Sequence, residues 1–162
     1  MEREEGQNDR TSTEQIPPQP LLATLLNNLP GMAYRCRFDG KRTMEFVSSG
    51  CTDLIGFQPE DLVDNKTTSY EDLILPEDRT AVSQEIESAI DEKRSYVFTY
   101  RLTTATSQEI WVMDKGEAIY RLDGTVEALE GFVADHTERM KAIELLEQRV
   151  VDRTRKLSAL YH

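Results

Sequence analysis

The side chains in this sequence that could do chemistry are two adjacent carboxylate pairs, two cysteines and two histidines. Glu60-Asp61 follows Pro59, and Glu77-Asp78 follows Pro76. Proline suits the first helical position, and acids in the first turn complement the positive end of the helix dipole. Both pairs are therefore read as helix starts rather than as general acid–base couples. Cys36, Cys51, His136 and His162 are the soft or borderline metal ligands, and none is paired with another at ligand spacing. The sequence holds no dinucleotide glycine fingerprint, no Walker-type Gly-Lys-Ser string and no Gly-x-Ser-x-Gly elbow. The expectation is a chain with no catalytic site and no metal site.

Size and charge narrow the class further. The 162 residues allow one domain of ordinary size with extra segments at its ends. The formal charge of −11 opposes general binding to nucleic acid or to anionic lipid, both of which need a positive face. The chain is acidic up to residue 136 and mildly basic from residue 137, which marks a boundary there. No run of 18 apolar residues exists, so no membrane span is expected, and Met1–Arg10 lacks an apolar targeting segment. A cytoplasmic setting with two free thiols is the simplest reading.

The elements that must position these residues follow from periodicity and breakers. Residues 1–20 are rich in Glu, Gln, Asn, Thr and Pro and read as a disordered tail or linker. Leu21–Leu29 reads as a short helix stopped by Pro30-Gly31. Met32, Tyr34, Cys36 and Phe38 alternate as one face of a strand, and Asp39-Gly40 turns the chain into Thr43–Ser48, with Met44 and Phe46 on its apolar side. Short helical pieces follow at Cys51–Ile55, Pro59–Val63 and Tyr70–Ile74. A longer helix opens at Pro76 and carries Val82, Ile86 and Ile90 on one stripe. Three strands come next, Ser95–Thr103, Glu109–Arg121 with a bulge expected at Gly116, and Val126–Ala134. From Thr137 the sequence is helical, with Asp135 and Glu138 at capping-box spacing. The compact arrangement of these pieces is α+β, a five-stranded antiparallel sheet with helices across one face.

Several strings in this order resemble the PAS domain with its C-terminal PAC portion. They are Phe46–Phe57 with Pro59–Leu62, then Leu75–Arg79, Tyr100–Leu102, Trp111-Val112, Gly131–Val133 and Asp135–Arg139. The resemblance covers about residues 21–140. It implies three parts: a tail over 1–20, a sensory domain with its N-terminal helix over 21–136, and a signalling helix over 137–162. It also implies the input module of a sensor histidine kinase or a diguanylate cyclase. Haem-binding relatives supply an axial His from the long helix, and Pro76–Glu92 holds none. Flavin-photosensing relatives need a Cys within an Asn-Cys-Arg-Phe-like string, and neither Cys36 nor Cys51 sits in one. Both observations argue against those cofactors, and the identity of any cofactor stays open.

Two groups of residues are candidates for function. A ligand pocket between sheet and helix would draw on Tyr34, Cys36, Phe46, Phe57, Ile86, Phe98, Tyr100 and Trp111, though the same residues could form a filled core. Relay would run through Asp135 and Thr137 into the last helix. There Ile143, Leu146, Val150, Leu157 and Leu160 fall at heptad a and d positions, and Arg153 takes the remaining d. The function so expected is a sensory module that passes ligand or partner binding through a dimeric coiled coil to a separate output domain. A ligand-free dimerisation or adaptor module, and a haem- or flavin-bearing gas, redox or light sensor, are the rival readings.

Overall fold

A computed structural model describes residues 19–161. The tail expected over 1–20 lies outside those residues except for Gln19 and Pro20, which open helix α1 (Gln19–Asn28). The chain then runs β1 (Met32–Cys36), β2 (Met44–Val47), α2 (Cys51–Ile55), α3 (Pro59–Leu62), α4 (Tyr70–Leu73) and α5 (Pro76–Asp91). It ends with β3 (Tyr96–Thr103), β4 (Glu109–Tyr120), β5 (Val126–Asp135) and α6 (Thr137–Leu160). The strands form one antiparallel sheet in the order β2-β1-β5-β4-β3. The sheet closes by pairing β1 with β5, residues about 100 apart in sequence, so nothing local in either strand specifies the partner.

One face of this sheet makes the core. Met32, Tyr34 and Cys36 of β1, Tyr96, Tyr100 and Leu102 of β3, Val112 of β4 and Leu129 and Val133 of β5 are buried there. They pack against Cys51, Ile55, Leu62, Tyr70 and Leu73 of the short helices and against Val82, Ile86 and Ala89 of α5. Both Pro-Glu-Asp strings do open helices. Asp61 also accepts the backbone N–H of Gln58 at 2.9 Å, and Asp78 turns outward to β3.

Three local expectations change. Phe46 does not share the core face with Met44. The register of β1 and β2 shifts between Arg35 and Cys36, the alternation is broken, and Met44 and Val47 point inward while Phe46 is 46% exposed. Gly116 carries no bulge, for it sits in regular register between Tyr96 and Gly131, and the irregularity of β4 lies between Ile119 and Tyr120. His136 rather than Asp135 occupies the N-cap position of helix α6, with no side-chain cap hydrogen bond of its own. The Asp135 carboxylate accepts the Thr137 N–H at 2.9 Å from one residue earlier, and His136 N–H donates to Trp111 C=O at 2.8 Å.

Candidate functional site

The interior of the sheet holds a charge. Asp114 lies on β4 between Val112 and Gly116, facing the core, and is fully buried. Burial of a carboxylate is tolerable only when it is paired and hydrogen-bonded. Three donors meet that need: Tyr34 hydroxyl to Oδ1 at 2.8 Å, Tyr100 hydroxyl to Oδ2 at 2.8 Å, and Arg42 Nη2 to Oδ2 at 3.1 Å.

The tyrosines form two arms. Tyr34 and Tyr96 hydroxyls are 2.6 Å apart, and Tyr70 and Tyr100 hydroxyls are 2.7 Å apart. A phenol has one proton to give. Tyr34 and Tyr100 spend theirs on Asp114, so Tyr96 must donate to Tyr34, and Tyr70 to Tyr100. Both arms therefore point their protons at one carboxylate. Burial raises the pKa of all four phenols above the ordinary value, with the Asp114 charge adding to it, which keeps them neutral donors.

Two glycines make the first arm possible. Tyr34, Gly131, Gly116 and Tyr96 form one row across β1, β5, β4 and β3. The two rings extend toward each other over the glycines. A Cβ on Gly131 would stand 2.6 Å from the Tyr34 hydroxyl oxygen, and one on Gly116 would stand 2.5 Å from that of Tyr96.

Arg42 reaches this centre from the loop between β1 and β2. Asp39 orders the loop, with Oδ1 accepting the N–H of Lys41 and Oδ2 accepting the Thr43 hydroxyl. Arg42 has a left-handed backbone (φ 51°), which aims its side chain inward, and only 6% of the residue is exposed. Its guanidinium lies 5.5 Å from the Tyr34 ring centre and 5.4 Å from that of Tyr70. Nε and Nη1 make no hydrogen bond of good geometry, and neither does Oε2 of Glu71 on α4. Arg42 and Glu71 border a cavity of about 80 Å³, lined also by Phe38, Gly40, Ser83, Ile86 and Glu87. Burial raises the Glu71 carboxyl pKa, with Arg42 and Arg79 opposing that shift.

The eight residues singled out for a pocket are spread over several places. Tyr34 and Tyr100 belong to the network around Asp114, Cys36 is buried in the core, and Phe57 and Phe98 pack against it. Ile86 alone among them lines the cavity beside Arg42. Phe46 borders an outer groove with Pro59 and Val63. Trp111 carries Arg101 at 5.5 Å from its ring and, with Phe98 and Tyr100, borders another groove that reaches Met140. Both thiols are free and buried, and burial pushes that of Cys51 up to about 11.

Arg42, Tyr70, Tyr96 and Asp114 escaped the sequence reading. Arg42 sits next to a turn, where charge is ordinary. Asp114 had a signal: Ile110, Val112, Asp114, Gly116 and Ala118 alternate on one face of β4, and an acid in an apolar row requires partners. No group of three or more His, Cys, Asp or Glu side chains able to hold a metal occurs among the described residues.

The relay residues lie where the sheet ends. Thr137 Oγ1 accepts the Trp111 N–H at 3.1 Å, which ties the first turn of α6 to β4. Ile143, Leu146, Val150, Arg153 and Leu157 lie beyond, and no residue of α6 is buried.

This architecture can be set beside known proteins. Residues 44–133 match the family model described as the PAS fold, more than half of the chain. The chain belongs to the PAS fold family. A sensory box histidine kinase/response regulator of Burkholderia thailandensis has a similar structure, with a TM-score of 0.66 and 18% identity over 85% of this chain and 98% of that one. The N-terminal domain of a diguanylate cyclase with PAS/PAC sensor from Marinobacter aquaeolei gives 0.57 at 17% identity, over 68% and 98%. An RNA-binding light-oxygen-voltage receptor gives 0.68 at 16% identity, over 89% of this chain and 41% of that one. At such identities the likeness is one of fold. Protein y4lL of Sinorhizobium fredii is 33% identical over 89 residues, 54% of this chain but 11% of that protein's length. No helix of the described residues is long and apolar enough to cross a membrane.

Proposed function

We propose that this PAS module is a cytoplasmic sensory and regulatory unit that relays ligand or partner binding through α6, as a homodimeric coiled coil, to a separate output domain. The output would be a histidine kinase or diguanylate cyclase domain, and no catalytic step is assigned to the module itself. The observation that carries the reading is α6. It has 24 residues, none buried, yet Ile143, Leu146, Val150, Leu157 and Leu160 repeat an apolar stripe along it. Such a stripe needs a partner, and a helix of that length runs about 36 Å, far past the edge of one small domain. A second copy supplies an identical stripe, in register.

The input end supports the same direction of signal. Asp114 and Trp111 share β4, and Trp111 bonds to both His136 and Thr137. A change in the pull on Asp114 is thus felt a few residues from the start of the helix. Leu146→Glu combined with Val150→Glu should convert a dimer to a monomer in sedimentation equilibrium without changing the circular dichroism of the sheet. A wild-type chain that stays monomeric at ~100 μM would rule out the dimeric relay. Deleting one residue near Arg153 in a fusion to a kinase output should change that output, because it breaks the heptad.

The ligand-free adaptor reading has one observation in its favour, the burial of Tyr34, Cys36 and Tyr100 in one core cluster. The cofactor-bearing reading draws on the likeness to the light-oxygen-voltage receptor. Visible absorbance of the purified protein tests it directly.

A further inference from the structure

We infer that the cavity between Arg42 and Glu71 binds a small, net-neutral molecule carrying an acceptor oxygen at one end and an N–H donor at the other, a primary amide or a small zwitterionic amino acid. The inference rests on the sensory reading above and names its input.

Arg42 is the starting point. It is 94% buried, one guanidinium nitrogen is held by Asp114, the Cys36 thiol lies against the group, and the other two nitrogens make no hydrogen bond of good geometry. A buried cationic N–H left unpaired costs more than a neutral one, and a partly satisfied polar network is a poor core. Arg42 nevertheless has Asp39, the ordered loop and two tyrosine rings holding it in place. The loop thus holds a guanidinium with unpaired donors at the cavity wall.

The opposite wall sets the sign of the occupant. Glu71 borders the same space and has a buried, unpartnered Oε2, and Glu87 stands at the rim. Asp114 already balances the charge of Arg42. A simple anion would meet two further carboxylates, and a simple cation would meet a guanidinium, at distances where protein screening is weak. A dipolar occupant avoids both conflicts, with its oxygen toward Arg42 and its N–H toward Glu71. The size agrees. At about 30 Å³ per water, about 80 Å³ holds two to three waters, so a molecule of about four heavy atoms fills it and a fifth or sixth reaches into the open mouth. Phe38 and Ile86 supply an apolar wall for a methyl group, while Gly40, Ser83 and Glu87 form an exposed mouth.

The occupant would touch the β1–β2 loop, α4 and α5 at once, and would pull on Asp114 through Arg42. That links the site to the strand that carries Trp111.

The test is titration of the full chain with acetamide, urea, glycine and alanine, with acetate and methylammonium as single-charge probes. Binding is read from backbone amide shifts and calorimetry. We expect saturable binding of at least one bifunctional probe, with shifts concentrated at residues 38–42, at Glu71 and at residues 83–87. Glu71→Gln should weaken it roughly tenfold. Ser83→Trp should block the mouth and abolish it while leaving the fold intact; neither variant disturbs the Arg42–Asp114 pair. Three results overturn the inference: no saturable shift by ~50 mM of any bifunctional probe, acetate or methylammonium binding as well as the bifunctional probes, or binding indifferent to both variants. Sedimentation of the same samples reports the dimer separately, so the relay can stand when this site falls.

Discussion

At the scale of single residues, the direction of each hydrogen bond around Asp114 decides what each substitution costs. Removing the carboxylate leaves a buried guanidinium and two phenols without an acceptor. Asp114→Ala should lose about 3–5 kcal/mol of stability in urea denaturation. The tyrosines divide by position in the arms. Tyr34 is both acceptor and donor, whereas Tyr96 only donates. Tyr96→Phe should cost about 1 kcal/mol, and Tyr34→Phe clearly more, because it strands both the Tyr96 hydroxyl and Oδ1 of Asp114. Equal costs for the two variants would contradict the donor order.

At the scale of elements, α5 is fastened to the sheet at its first turn. Asp78 accepts the Arg101 backbone N–H and Nε through Oδ2 at 2.9 and 3.0 Å, and Nη2 through Oδ1 at 2.7 Å. The Arg101 hydrogen bonds hold the Asp78 carboxyl below the ordinary 3.8. A carboxyl depressed in the folded state stabilises fully above its unfolded pKa and loses that contribution as pH falls through the folded value. Asp78→Asn should therefore lower stability by about 1–2 kcal/mol at neutral pH. The gap from wild type should close as pH drops below 3.8. A gap that persists unchanged in acid would mean the charge is not what matters. The Pro76-Glu77-Asp78 string thus does more than open a helix: its acids could be read as dipole complement, but the bond to β3 depends on where that strand lies.

At the scale of the whole molecule, the sheet and helices α2 to α5 form one packed body, and α6 leaves it. Because α6 buries no residue, a chain ended after Met140 keeps Thr137, its bond to Trp111 and the groove that reaches Met140. Its thermal midpoint should fall within a few degrees of the full chain's at low concentration, while self-association disappears. Loss of the cooperative transition would show that the helix is part of the core. The same division matches the charge pattern, for the acidic stretch from residue 32 to 135 is the folded body and the basic block is the helix beyond it.

The amino-acid sequence alone determined the elements and their order, because turn residues and apolar periods act over a few residues. The five strands, the helix at Pro76 and the apolar stripe from Ile143 were all legible that way. So was the family resemblance, which is a matter of ordered short strings. Phe46 faces outward because its own strand carries an extra residue, Glu45, opposite the step from Arg35 to Cys36. The expected bulge at Gly116 was misread because the reason for that glycine is the ring of Tyr96, on another strand. The polar centre was decided only by the tertiary structure. Arg42 and Asp114 are 72 residues apart, and Tyr34 and Tyr96 are 62 apart. An acid in an apolar row announces that it needs partners, but which partners reach it depends on how the strands are ordered in the sheet.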